Sequence, residues 1–183
     1  MKIVLRGSSE EIDVAALALI HGWRLEQELP AGIQQPRQVT WRVRDGETAI
    51  IYVEDALLST RYIIVRGPSA SDVAQKLING LEVVDLQDLE ALRDRSIDPE
   101  KAIQLINAAA LLAPEVPNDA FAELLIAGMT HHDTQVQRAA VFAITYVPWR
   151  RFRESLTKLV ASDVAIARDA EVIIQTLDRQ GWI

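Results

Sequence analysis

Asp133-Thr-Gln-Val136-Gln-Arg138-Ala-Ala140-Val-Phe-Ala-Ile144 aligns without a gap on Asp163-Val-Ala-Ile166-Ala-Arg168-Asp-Ala170-Glu-Val-Ile-Ile174, thirty residues further on. Self-similarity at such a period is the signature of stacked helical pairs, because one pair cannot bury its apolar face alone. The residues around the two copies carry helix signals throughout. Asp98-Pro99 is a cap followed by proline at the first helical position, and the apolar stretch Ala102 to Ala113 stops at Pro114. Asn118 caps a second helix, with Phe121, Leu124 and Leu125 inward and Gly128 near its end. A third helix runs from Asp133 and is stopped by Pro148. A fourth spans about Trp149 to Ala161, burying Phe152, Leu156 and Leu159 or Val160, and a fifth starts at Asp163 and ends near Arg179. Five helices on short connections are expected to stack.

The pattern Asp-x-x-Val-x-Arg-x-Ala at the start of a helix resembles the HEAT repeat, the pair-stacking unit of many α-solenoids. It is carried by Asp133, Val136, Arg138 and Ala140 in one copy and by Asp163, Ile166, Arg168 and Ala170 in the next. The resemblance implies that each Asp caps its helix and reaches the neighbouring repeat. It also implies that Arg138 and Arg168 join the same polar ladder, while the small and branched residues pack between helices. The first hairpin, 98–129, has Lys101 and Ile103 where the signature has Val and Arg, as expected of an atypical terminal repeat.

Upstream, residues 1–82 read as a small α+β domain of order β-α-β-β-β-α, a helix-backed antiparallel sheet. Lys2 to Leu5 is a short strand, and Ser8 with Glu11 forms a capping box for a helix whose stripe is Ile12, Ala15, Ala16, Leu19 and Trp23. Residues 30–36 are a loop. Val39, Trp41 and Val43 alternate with Thr40, Arg42 and Arg44, Asp45-Gly46 signals a two-residue hairpin, and strands follow at Thr48 to Val53 and Arg61 to Val65. A second helix is capped by Ser69 with Asp72, with Val73, Leu77 and Leu81 inward. Residues 83–97 carry Leu86, Leu89 and Leu92 among acids, an acidic amphipathic helix connecting the α+β domain to a helical domain at 98–183.

Composition removes several chemistries. There is no cysteine, so disulfides, thiolate metal sites and cysteine nucleophiles are absent. The longest purely apolar run, Val14 to Ile20, is far short of the roughly 20 residues that span a bilayer, and no signal peptide is visible. The expectation is a cytoplasmic protein without a membrane partner. A net charge of −7 argues against a general nucleic-acid binder. Its excess sits in 83–100, with two basic and six acidic residues. His131-His132-Asp133 has metal-ligand residue types, but adjacent side chains diverge and Asp133 already serves as a cap, so no metal and no cofactor is expected. His21 stands alone on the first helix, and no nucleophile elbow or distinctive carboxylate pair is present, so catalysis is not expected.

One cluster stands out. Pro148-Trp149-Arg150-Arg151-Phe152-Arg153 joins three arginines to two aromatics within six residues. Trp and Arg are the commonest interface anchors, which makes Trp149, Arg150, Arg151 and Arg153 a candidate partner-binding site. The alternative is that Trp149 and Phe152 face inward at i and i+3 while the arginines pair with Glu154 and neighbouring acids. The leading expectation is a non-enzymatic protein–protein interaction module using the helical array. Nucleic-acid binding through Arg138, Arg150, Arg151 and Arg153 is the second reading. The third places a small anionic ligand at the helix N-termini that follow Arg6-Gly7 and Arg66-Gly67.

Overall fold

β-Branched and aromatic residues concentrated between Arg37 and Arg66 favour a pleated sheet, and the cap and proline signals after Asp85 favour helices. A computed structural model describes residues 1–32, 35–94, 96–162 and 164–182. The fold is α+β, and the chain divides into two units, Met1–Val84 and Asp85–Ile183. No helix among the described residues is long and apolar enough to cross a membrane.

The first unit contains β1 (Lys2–Val4), α1 (Glu11–His21), β2 (Arg24–Leu29), β3 (Arg37–Arg42), β4 (Ala49–Asp55), β5 (Thr60–Arg66) and α2 (Ala70–Gly80). The strands form one antiparallel sheet of order β1-β5-β4-β3-β2, in register Lys2↔Ile64, Ile50↔Val65 and Trp41↔Ile50. After α2 the chain returns beside β1, where the Val84 N–H donates to the Val4 carbonyl at 2.9 Å. Val14, Ala18, Val73, Ala74 and Leu77 of the two helices cover Ile3, Val39, Trp41, Ile50, Tyr52, Ile63 and Val65 on one face of the sheet. Burial of such apolar side chains is the main stabilising term, about 1.5–3 kcal/mol for each large one.

Five local expectations are corrected here. The sheet has one more strand than the periodicity indicates: Arg24–Leu29 pairs with β3 as an exposed edge strand, kept polar and bulged between Leu25 and Gln27. The box at the start of α1 is Glu10 with Asp13, not Ser8 with Glu11. Ser8 donates to Glu82 and the Ser9 hydroxyl accepts from the Glu82 N–H, which ties both serines to the returning chain and delays the helix. The buried stripe of α1 is Val14 and Ala18, and Ile12, Ala16, Leu19 and Ile20 face outward. The β3–β4 connection is longer than two residues, since the Val43 N–H donates to the Thr48 carbonyl at 2.9 Å. Ser69 does not cap α2 with its own side chain. Its hydroxyl donates to Asp45 at 2.7 Å and its N–H to the Thr48 hydroxyl at 3.0 Å. Asp45 also accepts from the Thr48 hydroxyl and from the Thr48 and Glu47 N–H groups, so one carboxylate ties the β3–β4 loop to the start of α2.

The second unit is helical. It contains α3 (Leu86–Glu90), a 3-10 turn (Ala91–Arg93), α4 (Pro99–Leu112), α5 (Asp119–Met129), α6 (Thr134–Ala143), a 3-10 turn (Ile144–Tyr146), α7 (Phe152–Ser162) and α8 (Val164–Gln180). Asp85 and Asp88 accept each other's backbone N–H at 2.9 Å, a reciprocal cap for α3. Leu89 and Leu92 are buried, and α3 packs on α4, so the stretch expected to connect the halves belongs to the helical unit from Asp85 onward. Helices α4, α6 and α8 stand side by side, and α5 and α7 form a second layer. Small residues permit close approach: a Cβ on Gly128 of α5 would meet Ile106 of α4 and Ala140 of α6. Val136, Ala140, Ile166 and Ala170, the residues equivalent across the thirty-residue offset, are all fully buried.

Candidate functional site

Pro148 breaks the helical path after α6, and a tight turn carries the chain into α7, with the Phe152 N–H donating to the Trp149 carbonyl at 3.0 Å and that of Arg153 to Arg150 at 3.1 Å. This turn points Trp149 and Phe152 the same way. Trp149 is 1% exposed and Phe152 is fully buried, and their rings stack nearly parallel with centroids 5.7 Å apart. Trp149 is therefore a core residue and not a surface anchor. Its ring, locked under the turn, leaves Arg150, Arg151 and Arg153 exposed on the outside.

The arginines are partly held by acids that sequence reasoning did not single out. Arg151 pairs with Asp119 at the first position of α5, and Arg153 forms a forked pair with Asp178 of α8, the second contact at 2.9 Å. The Trp182 indole donates to the same Asp178 at 2.8 Å, and the Arg153 guanidinium lies 5.9 Å from the Trp182 ring. Gly181, at φ +94°, turns the chain so that this contact forms. Hydrogen bonds from Arg153 and then Trp182 hold the Asp178 carboxyl below the usual carboxylate range. Lys158 pairs with Glu154 one helical turn away, at 2.7 Å. Arg150 is exposed and makes no ion pair among the described residues. Together Arg150, Arg151, Arg153, Glu154, Thr157 and Lys158 line a shallow, open depression of about 470 Å³. Glu154 and Lys158 share one face of α7, a spacing legible in the sequence, and Arg150 joins them from the turn before the helix.

The remaining candidate residues fall elsewhere. Asp133 accepts from the N–H groups of Gln135 and Val136 at 2.8 and 3.2 Å and caps α6. Arg138 of α6 pairs at 2.8 Å with Asp169 of α8, the residue after Arg168, while Arg168 itself is exposed. The polar link between these helices thus runs through a residue whose equivalent in the first copy is Ala139, the one place where the repeat swaps a small residue for an acid. Asp163 lies outside the described residues. The His131 ring lies tilted by 32° against His132 with centroids 4.2 Å apart, and its Nδ1 accepts from the Asp133 N–H, so it serves the cap.

Arg6 and Arg66 sit at opposite ends of the sheet. The β1–β5 register places Arg6 level with Thr60, six residues from Arg66, or about 20 Å along the strand. The two turns also use their donors internally, through Asp13 at α1 and Thr48 at α2. They form no common anion site.

Compared with protein-family models, curated proteins and solved structures, the chain matches none.

Proposed function

We propose that this protein is a non-enzymatic interaction module whose helical unit, a short HEAT-like array, receives an acidic segment of a partner protein on the α7 surface. The observation that carries the reading is the open depression lined by Arg150, Arg151, Arg153 and Lys158 on a chain of net charge −7. Four cations concentrated on the turn before α7 and its first two turns set this face against the sign of the whole. Guanidinium groups grip carboxylates with two parallel hydrogen bonds; Arg153 already forms such a fork with Asp178 and Arg151 pairs with Asp119, which leaves Arg150 the arginine of this face without an ion pair among the described residues. The HEAT-like reading is supported by the layer of α4, α6 and α8 and by the matched burial of Val136 with Ile166 and Ala140 with Ala170.

Acids interleaved with the cations favour a protein ligand over a nucleic acid. A phosphate backbone laid along α7 would meet Glu154, Asp119 and Asp178 at intervals, whereas a peptide can place its carboxylates between them. The test is affinity capture from a nuclease-treated lysate of the source cell, with the wild-type chain beside the Arg150→Glu/Arg151→Glu variant, both verified as folded by circular dichroism. A protein retained by the wild type and lost with the variant is the expected result. Equal capture by both refutes the assignment of this surface, and binding that persists only without nuclease and falls steeply with salt transfers the surface to nucleic acid.

A further inference from the structure

Helix α1 is apolar on both sides, although only one side meets the sheet. Val14 and Ala18 point into the core, while Ile12, Ala16, Leu19 and Ile20 project from the opposite side, with Leu19 82%, Ile12 74% and Ile20 73% exposed. A helix apolar all round is normally buried all round. The three large side chains leave an apolar patch of roughly 400 Å², the size at which surface patches mark interaction sites.

We infer that α1 is the contact of a two-fold homodimer, in which the helix packs antiparallel on the same helix of a second copy. The isoleucines of this face are spaced symmetrically about Ala16, while Leu19 is level with Asp13 across the same axis. A two-fold axis there sets Ile12 of one copy against Ile20 of the other, and Glu11 against His21. An isologous contact demands this self-complementarity. The small Ala16 at the axis admits the close approach of about 8–10 Å between helix axes that helix packing requires. Charge agrees with the antiparallel sense. The N-terminal end of α1 carries Glu10, Glu11 and Asp13, and Arg24 and Arg44 stand beyond its C-terminal end, so each end of one copy meets the opposite sign on the other. Glu11 and Glu10 already pair with Arg37 and Arg61, and the Glu10 carboxylate keeps 60% of its side-chain exposure for a further partner. The apolar patch supplies about half of the ~800 Å² per copy that a stable interface buries, and the polar rim supplies the rest, which sets an expected Kd in the micromolar range.

Two variants test this. Sedimentation equilibrium of the full chain up to roughly 100 µM is expected to give a monomer–dimer equilibrium, and Leu19→Asp is expected to weaken it by about 30-fold. Since Leu19 is exposed, the melting temperature of the dilute variant stays that of the wild type. The native chain has no cysteine, so Ala16→Cys reports on one contact alone. Mild oxidation is expected to link two copies, because residues at the axis lie within reach of a disulfide. A wild-type chain that stays monomeric at 100 µM overturns the inference. So does a dimer indifferent to Leu19→Asp, or one in which Ala16→Cys fails to cross-link.

Discussion

Replacing Trp149 by alanine separates the two roles that an indole beside three arginines can play. The ring is 1% exposed and stacks on Phe152, itself fully buried under the turn into α7. Removing it strands Phe152 against a cavity. Truncations of this kind cost about 3–5 kcal/mol, which includes the roughly 0.5–1.5 kcal/mol of a lost aromatic pair. Against a total stability of about 5–15 kcal/mol, this consumes a large share of what holds the helical unit together. At about 4–8 °C per kcal/mol for a unit of this size, the melting temperature is expected to fall by more than about 12 °C. Thermal and urea unfolding followed by circular dichroism at 222 nm reads the effect, with Trp149→Phe as the control that preserves an aromatic stack and recovers most of the loss. A surface anchor behaves differently. If Trp149→Ala melts within about 2 °C of the wild type yet abolishes partner capture, the indole is an exposed contact and its assignment to the core is refuted.

The first unit supplies two further tests. Hydrogen bonds from the Thr48 hydroxyl, then the Thr48 N–H and the Ser69 hydroxyl, hold the Asp45 carboxyl well below the usual carboxylate range, so its stabilisation is present above about pH 5 and lost as pH falls through the unfolded value near 3.9 toward the lower folded one. Asp45→Asn is therefore expected to lower the melting temperature at pH 7, with the gap to wild type closing between pH 5 and pH 2, and a gap constant across that range contradicts the account. Gly67→Ala places a Cβ 2.5 Å from the Thr48 Cα at a φ of +124°, and chemical denaturation is expected to register a loss on the order of 3 kcal/mol, whereas a loss under about 1 kcal/mol would mean that the turn relaxes freely.

How far the residues announce this fold depends on whether the deciding physics is local. Helix starts at Asp98, Asn118 and Asp133 are readable because a side-chain oxygen and the N–H groups it accepts from lie within three residues. The start of α1 is not, since Ser8 and Ser9 are claimed by Glu82, more than seventy residues away. Strand β2 leaves little trace because an edge strand exposed on both faces needs no alternation, and its Glu26 is recruited by Arg42 of β3 rather than by any neighbour in sequence. The stripe of α1 is ambiguous for a sharper reason: Ile12, Ala16 and Leu19 satisfy helical spacing as well as Val14 and Ala18, and only the sheet decides which set turns inward. The same degeneracy governs the site. An aromatic–arginine run has one composition whether its rings anchor a partner or pack a core, and the turn after Pro148 decides it by rotating Trp149 and Phe152 together beneath the backbone. That rotation also sets which side chains this surface exposes. With the rings removed from the surface, any recognition by α7 falls to its charged groups, two of them tethered to Asp119 and Asp178 and one, Arg150, left open to whatever carboxylate arrives.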